Sequence, residues 1–398
     1  MPALYMHNST RLTAAWQTIH PVIAATTPRC EFLMTGTLGK ALYYFSLYEM
    51  TGEQAYGDEA LELVYAVAEG TDGSPVALAG TGLAAGQAGL GFMLTLLQQA
   101  GLASMDLAAE LEETDAGIFR QAMYQLEEEE RPDYLQGALG ALPYFFLRSN
   151  EPAIRAYTDQ LLTAFCATAV REPEGCWFKN FIVDPAEKAR IDLGISHGNA
   201  GFLLILLEAK KQGAGPAVMD EIIEEGIRFI LAHAVQSYPE SPHSGYPFFI
   251  AAENKKIVYA PPRLAWCYGD LNIAWVLAKA GKLYNRPDWI AKGASIAKAT
   301  LNRRIPEDTL VTDSHFCHGA AGLAHFYRIL DTEWPGEGFA DAACYWLDTT
   351  LDYLDEELRG DYYQGREDDL LNGLPGVVLS LLAFNHPQTL SWNRLFLL

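Results

Sequence analysis

Apolar residues follow two alternating patterns along this chain. Short solid apolar runs, such as Phe202-Leu203-Leu204-Ile205-Leu206-Leu207 and Val377-Val378-Leu379-Ser380-Leu381-Leu382, each follow a glycine-rich turn. Between them lie amphipathic segments, for example Met219 to Ala234 and Ala340 to Leu358, whose apolar positions recur at helical spacing. Both patterns predict helices. Alternation at every second residue, the mark of a half-buried strand, is scarce.

The turns form a series. Gly-x-x-Gly precedes the apolar run at Gly36 to Gly39, Gly86 to Gly89, Gly137 to Gly140, Gly198 to Gly201, Gly319 to Gly322 and Gly373 to Gly376. Gly269 opens a degenerate copy in which Asn272 replaces the second glycine. The units start roughly 50 to 70 residues apart, a period suited to a helical hairpin with a variable connection. Glycine at one recurring position allows tight turns and close backbone approach. The expected fold is therefore all-α, an α/α toroid of about seven helical hairpins whose inner helices begin at the glycines and whose motifs face one cavity. An open solenoid would use the same glycines as helix punctuation. Closure is favoured because the chemically interesting residues fall in the motifs and not in the intervening helices.

Three motifs carry that chemistry: Trp266-Cys267-Tyr268-Gly269, Phe316-Cys317-His318-Gly319 and Ser196-His197-Gly198. If the copies are equivalent and close in space, two thiolates and an imidazole meet, with a second histidine nearby. Such a set suits zinc with one coordination position left for chemistry. Read alone, each residue has a plainer role: buried thiols, a capping histidine, an ordinary core histidine. His315 and His325 are the available fourth ligands, and both read as local packing or surface residues, with His315 kept open as a ligand.

A chain of 398 residues, half of them hydrophobic, can bury a substantial core, and the repeat runs nearly end to end, so 1–398 is expected to be one domain. The net charge of −22 argues against nucleic acid or an anionic membrane as partner. The first residues lack an apolar signal core, and no apolar run is long enough to span a bilayer. A cytoplasmic location is expected, with Cys30, Cys166, Cys176 and Cys344 as ordinary reduced thiols. The acidic runs Glu127 to Glu130 and Asp355 to Glu357 read as solvated faces. The proline-rich stretch from Ser241 to Pro262 reads as a long loop over the cavity, offering Tyr246, Phe248 and Phe249 to a peptide.

Taken together, Trp-Cys-Tyr-Gly, Cys-His-Gly-x-x-Gly and His-Gly-x-x-Gly, within seven glycine motifs from Gly36 to Gly376, resemble the lanthionine synthetase C-like family, which includes stand-alone lanthipeptide cyclases. The resemblance implies an α/α toroid with one Zn²⁺ per chain, held by Cys267, Cys317 and His318. It also implies catalytic roles for His197 and for Asp133, four residues before Gly137, and site positions at Arg263 and Tyr268. Asn272 is the main departure, and it leaves every implied ligand in place.

The chemistry so implied is addition of a substrate cysteine thiol to the β-carbon of a dehydroalanine or dehydrobutyrine. The thiolate is the nucleophile, and zinc favours it near neutral pH. His197 would protonate the resulting enolate. Asp133 would either take the thiol proton or orient His197, or serve only as a helix cap. Arg263 would stabilise the enolate oxygen or pair with a surface carboxylate. Tyr268 would donate a hydrogen bond there or pack beside the metal. A dehydrated precursor peptide and a separate dehydratase are the implied partners.

Competing readings keep the fold and change the chemistry. Addition of glutathione to dehydroamino acids needs the same zinc. Protein prenyltransferase β-subunits use an Asp, Cys, His zinc site that fits poorly here. Toroidal glycosidases use paired carboxylates and leave the motif cysteines unexplained. A non-catalytic peptide-binding scaffold with structural zinc would not need His197 or Asp133.

Overall fold

Each glycine motif starts a helix. In the computed structural model, which describes residues 9–180, 190–235, 244–386 and 390–398, the helix-capping residues are Gly36, Gly86, Gly198, Gly269, Gly319 and Gly373. Gly137 caps a short 3₁₀ turn, Ala138–Gly140, that leads into the helix of its repeat. The inner helices are α2 (Thr37–Thr51), α4 (Gln87–Gln99), α7 (Ala141–Leu147), α9 (Asn199–Lys211), α11 (Asp270–Leu283), α14 (Ala320–Glu333) and α16 (Leu374–Leu382). Their solid apolar runs are buried nearly all round, as a helix enclosed by others requires.

Most of the amphipathic segments become the outer helices. These are α3 (Gln54–Ala68), α6 (Glu112–Glu127), α8 (Pro152–Ala167), α10 (Met219–Ala232), α12 (Pro287–Ala299) and α15 (Phe339–Glu357), with a short α5 (Leu107–Glu110) and α13 (Pro306–Thr309) between. On α10 the buried residues Met219, Ile222, Ile223, Gly226, Ile227 and Ile230 make one stripe against the inner layer. The first helix, α1 (Ser9–Ala25), packs on α16 and α15, so the seventh hairpin joins the two ends of the chain and the ring closes.

A contact repeated in six of the seven motifs shapes the turns. A Cβ on the second glycine would lie 1.9 to 2.8 Å from the carbonyl oxygen six residues upstream: Leu33 for Gly39, Leu83 for Gly89, Tyr134 for Gly140, Ile195 for Gly201, Phe316 for Gly322 and Leu370 for Gly376. No side chain fits there. At the exception, the amide nitrogen of Asn272 donates to the equivalent carbonyl, that of Trp266, at 2.8 Å, while its oxygen accepts from the Ile195 N–H at 3.0 Å. Asn272 replaces a steric contact with hydrogen bonds and keeps the turn.

The turns then join round the rim. Met34 N–H donates to Ala84, Ala84 to Leu135, Ser196 and Ile195 to Cys267, Cys317 to Leu371 and Leu370 back to Met34. The middle of the ring is filled by α17 (Ser391–Leu395) and the residues after it. Trp266 donates its indole N–H to Phe396 O at 2.9 Å, Trp275 to Leu397 O at 2.8 Å, and the Tyr134 hydroxyl donates to Leu395 O.

Two small sheets depart from the helical plan. β1 (Val170–Glu172) pairs with β2 (Gly175–Trp177), and β3 (Arg190–Asp192), β4 (Phe249–Ala251) and β5 (Ile257–Tyr259) form an antiparallel sheet in that order. The long loop expected over 241–262 is therefore a hairpin from Phe249 to Tyr259; residues 241–243 lie outside those described. Its turn places Lys255 at φ +57°, with Asn254 accepting from Lys256 N–H at 3.0 Å, which lets two short strands pair where no helical period exists.

Asn272→Gly would restore the regular motif yet strip the buried hydrogen bonds of this side chain. It is expected to destabilise the protein by about 1–3 kcal/mol, and Gly322→Ala by at least as much, both read from the urea midpoint.

Candidate metal centre and active site

The inner-helix caps place the two residues before each glycine at the rim. For repeats five and six these are Cys267-Tyr268 and Cys317-His318. The turn of repeat five needs φ +108° at Gly269, a backbone shape that suits glycine. The two Sγ atoms and one His318 ring nitrogen lie within 4.8 Å of one another, with Cys267 buried and the other two half-buried. The structure thus brings together the three residues singled out as ligands.

Charge in this cluster is shared. Cys267 ionises well below the usual thiol range, chiefly because the Cys317 thiol donates to it, with His318 and the Arg263 guanidinium adding to this against burial. The same hydrogen bond, together with burial, holds Cys317 well above that range. One proton therefore serves two sulfurs, and ionising the second calls for a cation. A set of two thiols and one imidazole fits a tetrahedral, sulfur-preferring ion and leaves a position open. Arg263 Nη1 is buried with no hydrogen-bond partner among the described residues, a donor placed for an anionic or carbonyl oxygen.

His197 and Asp133 meet at the junction of repeats three and four. His197 Nδ1 is 2.9 Å from Asp133 Oδ2. Asp133 is fully buried; its Oδ1 accepts from the N–H groups of Leu135 at 2.9 Å and Gln136 at 2.8 Å. Asn180 Nδ2 bridges the pair, donating to Asp133 Oδ2 at 3.0 Å and His197 O at 2.6 Å. Asp133 is therefore no helix cap: its Oδ1 holds the turn before Gly137, which starts the 3₁₀ turn without a side-chain cap, while its Oδ2 faces the His197 ring. Burial disfavours a charged His197, but the hydrogen bond and charge of Asp133, with Asp192 and Cys267 behind, outweigh it and raise the imidazole above its ordinary value.

Tyr268 is committed elsewhere. Its hydroxyl donates to Asp192 Oδ2 at 2.5 Å, and its ring stacks on Phe248 with centroids 4.6 Å apart. Tyr246 and Phe248 are buried, leaving Phe249, under the Arg190 guanidinium at 4.0 Å, as the half-exposed member of the three aromatic residues expected to meet a peptide. Burial pushes Asp192 up to about 6, against the hydrogen bonds from Tyr268 and Gly194.

The outlying histidines separate. His325 is buried, tilted against the Trp392 ring, and bonded through Nε2 to Asn393 Oδ1 at 2.9 Å. His315 is also buried, but its Nε2 lies 3.1 Å from Asp313 Oδ1 and its ring meets that of His318 edge-on at 4.2 Å. It links a carboxylate to the cluster. Glu357 is no solvated charge: it accepts from Ser314 N–H at 3.0 Å and anchors the segment leading to Cys317. Cys30, Cys166, Cys176 and Cys344 are in no disulfide, and burial pushes Cys166 and Cys176 up to about 12. Asp192, Asn180 and Asp313 escaped the sequence reading. Asp192 and Asp313 stand five residues before a motif histidine, but no ligand spacing marks them, and Asn180 lies outside every motif.

The fold and site define a helical toroid with a sulfur–imidazole cluster at its rim. The family model described as "Lanthionine synthetase C-like protein" matches residues 31–397, and the chain belongs to that family. Among solved structures it is similar to nisin cyclase, at 17% identity and a TM-score of 0.71, over 98% of this chain and 96% of that one. It also aligns with the unsaturated glucuronyl hydrolase of Bacillus sp. GL1, at 15% identity and a TM-score of 0.44, over 98% and 99% of the two chains. No curated protein matches the sequence. Among the described residues no helix is long and apolar enough to cross a membrane.

Asp133→Asn should lower the His197 pKa, read from its imidazole proton shifts. Because the pairing raises the folded-state pKa, its stabilisation is fully present below about 6.5 and is lost as pH rises through the raised value. The stability deficit of Asp133→Asn, measured by thermal unfolding, should accordingly be larger at pH 5.5 than at pH 8.5.

Proposed function

We propose that this protein is a zinc-dependent lanthipeptide cyclase, working as one toroid domain over 1–398 on a dehydrated precursor peptide supplied by a separate dehydratase. The observation that carries this reading is the three-donor cluster, Cys267, Cys317 and His318, beside an imidazole already oriented by a buried carboxylate. Three protein donors, where a closed structural site uses four, leave room for a substrate thiol. The chemistry that zinc supplies when bound is a positive charge that keeps such a thiol deprotonated and in place near neutral pH.

The chain's own residues account for the proton. With Nδ1 engaged by Asp133, His197 has Nε2 free to take the thiol proton. The sulfur then forms its bond to the β-carbon of the dehydroamino acid, and the alkene π pair moves to give an enolate. Arg263, whose Nη1 has no hydrogen-bond partner among the described residues, would stabilise the enolate oxygen. His197 returns the proton to the α-carbon, so the addition balances with no further reactant. Asp133 holds the imidazole in position and favours its charged form between the two transfers. Tyr268, its hydroxyl donating a hydrogen bond to Asp192, acts as a wall of the site.

Purified protein should contain about one zinc per chain by elemental analysis, with sharp losses in Cys267→Ala and Cys317→Ala. His197→Ala should keep the zinc while thioether formation on a dehydrated peptide falls by roughly 10²- to 10⁴-fold. Full zinc in both cysteine variants, or unchanged cyclisation by His197→Ala, would sink the proposal. A product carrying added glutathione, with the peptide's own thiol left free, would reassign the donor.

A further inference from the structure

We propose that Asp192 is a positioning residue of this site, clamping the Tyr268 ring beside Cys267. The inference deepens the reading of the rim as a thiol-activating centre and rests on it. Asp192 ends β3, directly before the turn that carries His197. Its Oδ1 accepts from the Gly194 N–H at 2.8 Å, and its main-chain oxygen accepts from Asn199 Nδ2 at 2.8 Å, which fixes the carboxylate against that turn. Its Oδ2 accepts from the Tyr268 hydroxyl at 2.5 Å. One side chain thus holds the His197 turn of repeat four and the residue next to Cys267 in repeat five.

The clamp has two further jaws. Phe248 stacks on one side of the Tyr268 ring at 4.6 Å and an interplanar angle of 21°. On the side of Gly194, a Cβ would come within 2.6 Å of both the ring carbons and the Cys267 carbonyl oxygen, so the chain passes there as bare backbone. Asp192 is the hydrogen-bond partner of that ring's hydroxyl, and Cys267 is the next residue along the chain. Without the Asp192 acceptor, a tyrosine hydroxyl in this half-buried position loses its partner, and only the Phe248 stack and the Gly194 backbone still restrain the ring. The access of a reagent or a substrate to Cys267 would change with it. Asp192 touches neither the cluster sulfurs nor a substrate in this arrangement; it acts through Tyr268.

The test reads sulfur accessibility, which needs neither metal nor substrate. Metal-free wild type, Asp192→Ala, Tyr268→Phe and the double variant are treated with iodoacetamide, and alkylation of Cys267 is followed by peptide mass spectrometry, with Cys344 as the reference thiol. Loss of one hydrogen bond corresponds to about a 3- to 10-fold change, so each single variant should alkylate Cys267 faster by that factor with Cys344 unchanged. The double variant should be no faster than the faster single one, because both remove the same clamp. With zinc and dehydrated peptide, kcat should fall in the single variants while KM stays near wild type.

Unchanged Cys267 alkylation in Asp192→Ala, or factors that multiply in the double variant, would overturn the proposal and leave Asp192 as a turn residue for Gly194 alone. If Asp192→Ala fails to fold, Tyr268→Phe decides by itself, since an unaltered rate there removes the clamp. A wild type that makes no thioether would sink the cyclase reading without touching the alkylation result.

Discussion

The ring rests on one close contact repeated six times: the bare Cα of the second motif glycine against a carbonyl oxygen six residues upstream. Each contact folds the segment before an inner helix tightly back on the start of that helix, presenting the two residues ahead of the first glycine at the rim. A side chain at the contact would open the turn and withdraw those residues. Asn272 shows that the constraint is geometric before it is compositional, because its amide reaches the same carbonyl by a hydrogen bond. Its other end bonds to Ile195, so the one motif lacking the glycine is also tied to the turn of His197.

Rim packing explains where the chemistry sits. Backbone hydrogen bonds between the rim residues join repeats one to two, two to three, four to five, six to seven and seven to one. Among the described residues the pairs directly before the first glycine make no such bond at junctions three to four and five to six, the latter being joined further back by the Leu264 N–H donating to Thr309 O. These two junctions hold the Asp133–His197 pair and the Cys267–Cys317–His318 cluster. Where rim backbones do not bond, side chains meet instead, and there reactive groups can face each other without competing with main-chain partners. Leu135-Gln136 and Leu371-Asn372 occupy the equivalent slots elsewhere and carry no such chemistry, so the slot supplies position and the residue type supplies reactivity.

The sequence made the repeated parts of this arrangement legible. Glycine spacing exposed the inner helices, and equivalence between motifs predicted that Cys267 would meet Cys317 and His318. The family resemblance put Asp133 beside His197. What has no period stayed hidden. The pairing of α1 with α16 joins opposite ends of the chain, and the seat of α17 in the ring's middle depends on single hydrogen bonds from Trp266 and Trp275. The hairpin over Phe249 to Tyr259 was lost in a proline-rich stretch whose two strands are three residues each. Asp192 was invisible for a related reason: its partner Tyr268 is 76 residues away and its backbone partner only two.

Closure also makes the site a property of the whole ring. The Cys317 N–H is held by Leu371 O, while Leu370 N–H next to it is held by Met34 O. The cluster cysteine is therefore two backbone hydrogen bonds from the first repeat, across the junction where the chain ends meet. On its other side Cys267 O receives the N–H groups of Ile195 and Ser196, leading to His197 and so to Asp133. Separating α1 from α16 would loosen the Leu370 bond first and the Cys317 turn next, long before the inner helices themselves unwound. An open solenoid of the same hairpins would keep the Cys317 bond to Leu371 but deprive the adjoining Leu370 of Met34, which gives closure a chemical purpose beyond burial of the first and last helices.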